Sequence, residues 1–385
     1  MQTRIPLLTV DESVQRATAL GLDPARGQSN LSRVMLHQPA VATVIRDILA
    51  LLLSPSAALD RRLQSLIITR TAWVTGAGLG WMQQLRHLPG LNLSEADLLA
   101  VPDWRSDNRL SQAERAVLAA VDDVLASGRI SDATWDAWNA GRPAVEATIE
   151  MVLAVGLWRM ASEQLLSLDI CIDENAARLP QGAQRQPPAR PTTRFDGSAS
   201  AIDRISPIAE AEAETLCRQH DMSLALARSA VWTRMLRHPP IAAALSRQLY
   251  HLLQSGALSP RLREFIIMRI GWVTSCAYEW TRHWAHSMKA GISGDELLAL
   301  RDWRNGNFNA SERAVLAATD ETLSQGRISD TTWTACRAVL EPPLLVELVA
   351  VIGTWHLFSL LMRSLAIPLE AGAEYWQPDG KGPFG

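Results

Sequence analysis

Residues 114–120 read Glu114-Arg-Ala-Val-Leu-Ala-Ala120, and the same run returns as Glu312-Arg-Ala-Val-Leu-Ala-Ala318. An identical run with matching flanks marks an internal repeat. Downstream, Gly128-Arg-Ile-Ser-Asp132 pairs with Gly326-Arg-Ile-Ser-Asp330, Trp135 with Trp333, and Gly156-Leu-Trp158 with Gly353-Thr-Trp355. Upstream, Asp103-Trp-Arg105 pairs with Asp302-Trp-Arg304, and Trp73-Val-Thr75 with Trp272-Val-Thr274. The repeat predicts two helical domains, residues 1–179 and 204–385. Between them, residues 180–203 are rich in Pro, Gln and Arg and show no apolar period, which reads as a semi-extended linker.

Ser259-Pro260 supplies an N-cap and a first-turn proline, and Leu262, Phe265, Ile266, Ile270 and Val273 follow at helical spacing. Thr274-Ser275 is expected to cap the next helix, from Cys276 to about Ala290, with Gly291 ending it. Ser293 and Asp330 read as later helix starts. The polar–apolar alternation of half-buried strands is scarce, so the expected fold is all-α in both halves.

Composition narrows the function. A formal charge of −3 with no basic stripe argues against nucleic acid as a partner. Four widely spaced cysteines form neither a disulfide framework nor a C-x-x-C pair and suit a cytoplasmic protein. The amino terminus does not read as a signal peptide, and the apolar runs at residues 48–53 and 344–352 fall short of the roughly 20 residues of a spanning helix, so no membrane is expected. Fourteen Trp against three Tyr and five Phe suggest rings lining pockets or interfaces.

Cys276, Glu279 and His283 stand at i, i+3 and i+7, along one face of the expected helix. In the first turn, free amides and the helix dipole would favour a Cys276 thiolate. Aligning the halves sets Glu264, Cys276, Glu279 and His283 against Ser65, Ala77, Gly80 and Gln84, whereas Trp272, Thr274 and Trp280 keep their identity as Trp73, Thr75 and Trp81. A scaffold role would persist in both copies, so the asymmetry points to chemistry in the second half. The structural alternative is a surface Glu279–His283 pair worth a few tenths of a kcal/mol and a small core cysteine. Glu279, His283 and His286 are spaced for zinc, but no fourth ligand is evident, and no metal or other cofactor is expected. Candidate pocket residues are Tyr278, Trp280, Trp272 and His356, the last either reaching the pocket or sitting satisfied in the core where the first half has Arg159.

At Cys276-Ala-Tyr-Glu-Trp-Thr-Arg-His283, Ala290-Gly-Ile-Ser293 and Ser311 to Asp320, the sequence resembles the carboxymuconolactone decarboxylase superfamily. Arg261-Leu-Arg-Glu264-Phe-Ile-Ile-Met-Arg269 looks like that family's helix before the active-site turn, and Arg4-Ile-Pro-Leu-Leu8 like its opening. The resemblance implies an all-helical fold, a homo-oligomer (here a dimer or trimer), and either lactone decarboxylation or thiol peroxidase chemistry. In the peroxidase pattern Glu264, Cys276 and His283 match the relay glutamate, first cysteine and histidine, while Glu279 stands where the second cysteine belongs. A peroxidase would then need an external resolving thiol.

The leading expectation is an acid–base enzyme acting on a small carbonyl or lactone-type metabolite by decarboxylation, isomerisation, elimination or cyclisation. Glu279 or His283 would move the proton, Glu264 would orient His283, and Cys276 would donate a hydrogen bond. The alternatives are a thiol-dependent peroxidase and a non-catalytic ligand-binding or scaffold protein. The tail from Glu374 reads either as a lid or as a loose terminus.

Overall fold

The repeated residues recur because they start and stop helices. In the computed structural model, which describes residues 3–77, 94–171, 192–197 and 203–384, Ser111 and Asn309 form capping boxes with Glu114 and Glu312. Gly128 and Gly326 end those helices with φ near 73° and 70°, where a side chain would be strained. Ser131 and Ser329 then cap the next pair.

The described residues are all-α, without strands. The first half runs α1 (Val10–Ala19), α2 (Asn30–Met35), α3 (Pro39–Leu52), α4 (Arg61–Thr75), α5 (Glu95–Ala100), α6 (Gln112–Ser127), α7 (Asp132–Asn139) and α8 (Val145–Ser167). The second runs α9 (Glu210–Gln219), α10 (Ala230–Met235), α11 (Pro239–Gln254), α12 (Pro260–Val273), α13 (Ala277–Lys289), α14 (Gly294–Ala299), α15 (Ala310–Gln325), α16 (Asp330–Arg337) and α17 (Pro342–Ser364). Order and lengths repeat closely. The counterpart of α13, with Gly80, Trp81 and Gln84, lies outside the described residues.

The halves do not keep separate cores. Ile5, Val34, Met35, Val41 and Leu168 pack with the second-half residues of α12, α15 and α17, while Ile205, Ala213, Cys217 and Leu245 pack with α4, α6 and α8. Polar staples repeat the exchange: Arg4 donates to Ile328 O at 2.7 Å, and Arg204 to Ile130 O at 3.0 Å. Glu150 takes the Ala58 and Leu59 amides of its own half and His238 of the other, and Glu347 takes the Ala257 and Leu258 amides and Gln38. Most of the expected linker falls outside the described residues, but Thr193 and Arg194 donate to Ser324 O and Ala126 O, near the ends of α15 and α6.

The long helices α8 and α17 pack side by side. A Cβ at Gly156 would fall 2.3 Å from Leu357 Cδ1, and one at Gly353 2.6 Å from Met160 Cγ, so small residues set the approach. By length and composition α17 could cross a membrane, but 94% of its most apolar window is buried inside the protein. It is apolar all round because protein surrounds it.

Candidate active site

The turn between α12 and α13 brings the candidate residues together. Thr274 closes α12, Ser275 takes the left-handed region at φ 56°, and Cys276 caps α13. The expected Thr274-Ser275 cap is not what forms: the Thr274 hydroxyl donates to Ile270 O at 2.7 Å and lies 2.6 Å from that of Ser359 on α17. The first half makes the same left-handed turn with Gly76, whereas Ser275 holds it against the usual preference of a side chain. Doubling back, α13 meets α12 at Gly271, where a Cβ would lie 3.0 Å from Trp280 N and 3.5 Å from Glu279 Cβ.

His283 Nδ1 lies 2.9 Å from Glu264 Oε2, and the Ser287 hydroxyl donates to the same oxygen at 3.2 Å. The indole N–H of Trp355, which can only donate, reaches His283 Nε2 at 3.4 Å. That contact places the lone pair on Nε2 and the Nδ1 proton toward Glu264, so the carboxylate fixes both the tautomer and the ring. Burial works to raise the Glu264 proton affinity, but the neighbouring His283, the more distant Arg263 charge and the Ser287 hydroxyl hold it below the usual carboxylate range.

Glu279 is the opposite case. It is 2% exposed, neither carboxyl oxygen accepts a hydrogen bond among the described residues, and burial pushes its pKa well above the usual range. Two carboxyls, one on α12 and one on α13, are thus driven apart in proton affinity by their surroundings.

Cys276 does not become the activated thiol that its position suggests. Burial, the largest cause, pushes its pKa up to about 12, outweighing the Glu279 backbone N–H, the Arg363 charge and the Ser359 hydroxyl. The cap position is right for a thiolate, but desolvation decides the outcome.

Trp280, Trp272, Trp284 and Trp376 pack against one another as an aromatic box. Trp280, fully buried, lies 5.3 Å from Trp272, 5.9 Å from Trp284 and 6.3 Å from Trp376, ring centroid to centroid. The tail closes this box: Trp280 Nε1 donates to Gln377 O at 2.8 Å, and Arg301, stacked over Trp272, makes a two-pronged pair with Asp379 at 2.8 Å. Tyr278 faces elsewhere, its hydroxyl donating to Glu370 at 2.6 Å and lying 3.0 Å from that of Ser229. His356 is also away from the group: its Nδ1 lies 3.3 Å from Glu163 of α8, beside the Arg159–Glu163 ion pair. It follows Trp355 by one residue, and one helical step of about 100° turns it from α13 toward the other half.

Sequence reasoning missed Trp355, Ser287, Ser359 and Arg263. Trp355 and Ser359 recur as Trp158 and Ser162, so comparing the halves gives no signal for them. Arg263, set against Gln64, had one.

No curated protein and no solved structure matches the chain. Residues 239–321 do match the model of the carboxymuconolactone decarboxylase family. That stretch runs from α11 through most of α15 and contains Glu264, Cys276, Glu279 and His283. By this match, the second half of the chain carries a region similar to the carboxymuconolactone decarboxylase family.

Proposed function

We propose that the second half houses an acid–base enzyme acting on a small carbonyl or lactone-type compound. The observation that carries this reading is the contrast between Glu279, a buried carboxyl without a hydrogen-bond partner among the described residues, and Glu264, tied to His283 at 2.9 Å. A buried neutral acid can hand a proton to developing charge on carbon or oxygen, and an imidazole held by a carboxylate can take one. In a decarboxylation, the C–C bond to a substrate carboxylate breaks, carbon dioxide leaves, the electron pair moves into the adjoining carbonyl as an enolate, and Glu279 protonates the carbon and then regains a proton from solvent. In an isomerisation, His283 Nε2 takes the proton and Glu279 returns one. Cys276, neutral beside Glu279, supplies a hydrogen bond and no thiolate.

The peroxidase alternative draws on the same match of Glu264, Cys276 and His283, but the burial and proton affinity of Cys276 count against it. The first half, which contributes core side chains and the Gln38 contact to Glu347, is proposed as scaffold.

The test is turnover of a panel of lactone acids, β-keto acids and enolisable ketones, followed by proton NMR in deuterated water. Deuterium should enter the product or substrate at carbon with wild-type protein, and Glu279→Gln and His283→Gln should each lower the rate at least about 100-fold. Cys276→Ser should retain most of it. Turnover of an organic hydroperoxide with added thiol, lost in Cys276→Ser, would instead establish the peroxidase.

A further inference from the structure

Three arginines lie on α12, and two of them are tied down in ways the first half repeats. Arg261 pairs with Glu296 at 2.6 Å and Glu312 at 2.7 Å, as Arg62 does with Asp97 and Glu114. Arg269 pairs with Asp320 at 2.7 Å and donates to Leu300 O and Arg301 O, as Arg70 does with Asp122, Val101 O and Pro102 O.

Arg263 breaks this pattern. It is only 6% exposed, its Nε is buried without an acceptor, and no carboxylate lies within 4.0 Å of it among the described residues. Its counterpart Gln64 carries no charge and donates to Leu59 O at 3.0 Å, leaving only its own carbonyl oxygen buried without a donor among the described residues. Arg263 also sits in the first turn of α12, where the helix dipole disfavours a cation. A buried guanidinium without an anion weakens a fold. Stability therefore gives no reason for it to be there.

Its location supplies one. Arg263 adjoins Glu264, the residue that holds His283, and its charge reaches the Glu264 carboxylate without forming an ion pair. We propose that Arg263 is the anion anchor of this site, and that the substrate carries a carboxylate which the guanidinium fork holds beside the Glu264–His283 pair. A planar fork with free N–H groups matches a carboxylate in two-pronged geometry, and a dry setting strengthens the pairing. This deepens the acid–base reading and rests on it for the chemistry, while the anchor itself is a binding property that can be measured alone.

The probe is benzoate, with benzamide as its uncharged counterpart of the same shape, titrated calorimetrically into the full chain. Wild-type protein should bind benzoate more tightly than benzamide. Arg263→Gln, which installs the first-half residue, should weaken benzoate at least about tenfold and leave benzamide unchanged, with Arg263→Lys in between. Glu279→Gln should leave benzoate binding in place. Thermal unfolding of unliganded Arg263→Gln guards against misfolding: its Tm should equal or exceed that of wild type. Equal wild-type affinity for the two probes, benzoate affinity unchanged in Arg263→Gln, or a marked fall in Tm for that variant would each overturn the proposal. Turnover that survives Glu279→Gln while benzoate binding is lost in Arg263→Gln would refute the acid–base reading and keep the anchor.

Discussion

Replacing Glu279 by Gln swaps a buried carboxyl for an uncharged side chain of nearly the same shape. If burial keeps Glu279 protonated in the folded chain, unfolding above pH 4.5 releases a proton that the variant does not have. The unfolded state then binds fewer protons than the folded one, so wild-type stability falls as pH rises. The slope is about 1.4 kcal/mol per pH unit, from 4.5 up to the raised folded value. Two neighbours titrate with the opposite sign. Burial, then the nearby His283, hold His286 below its ordinary 6.5, so it withdraws stability as pH falls through its own window. Glu264 does the same below 4.5. Both contributions cancel when wild type and variant are compared at each pH. Urea unfolding in half-unit steps from pH 5 to 8 should show Glu279→Gln gaining on wild type steadily. Parallel curves would refute the inference that the buried carboxyl holds its proton.

Three further outcomes follow from the same geometry. Trp376→Ala should uncover Trp280, shift tryptophan emission to the red and cost about 2 kcal/mol, a half-buried ring being worth less than a fully buried one. Unchanged emission would mean that the tail does not seal the aromatic box. Iodoacetamide labelling of the native chain, resolved by peptide mass spectrometry, should modify half-exposed Cys171 well before Cys276, whose midpoint should stand near 12. Fast Cys276 labelling at neutral pH would restore thiol chemistry. Ser275→Gly should stabilise the turn by roughly 0.5–1 kcal/mol, measured by urea unfolding, because glycine accepts the left-handed φ of 56° at little steric cost. A loss of stability would show that the Ser275 side chain matters more than its backbone.

Much of the fold was written in local signals. Ser111, Glu114, Gly128 and Ser131 act within a few residues of themselves, so their return as Asn309, Glu312, Gly326 and Ser329 announced the same helices twice. The exchange between halves was not legible, because Arg4 meets Ile328 and Arg204 meets Ile130 across separations that no periodicity reports. Within the site, Glu264 and His283 were grouped by their joint loss in the first half and by the family resemblance, since no spacing rule links residues 19 apart. The state of Cys276 was not: the cap position argues for a thiolate, and only the three-dimensional burial beside Glu279 reverses the sign. His356 shows the limit of a one-residue step, since its neighbour Trp355 touches His283 while His356 itself turns to Glu163.

The central claim is that a neutral acid stands buried on α13 beside a carboxylate-held imidazole. Infrared spectroscopy of the folded chain at pH 7, wild type against Glu279→Gln, tests it most directly. A protonated-carboxyl carbonyl band that is present in wild type and missing from the variant is the predicted result. Identical spectra in that region, with Glu279 contributing only a carboxylate band, would contradict it.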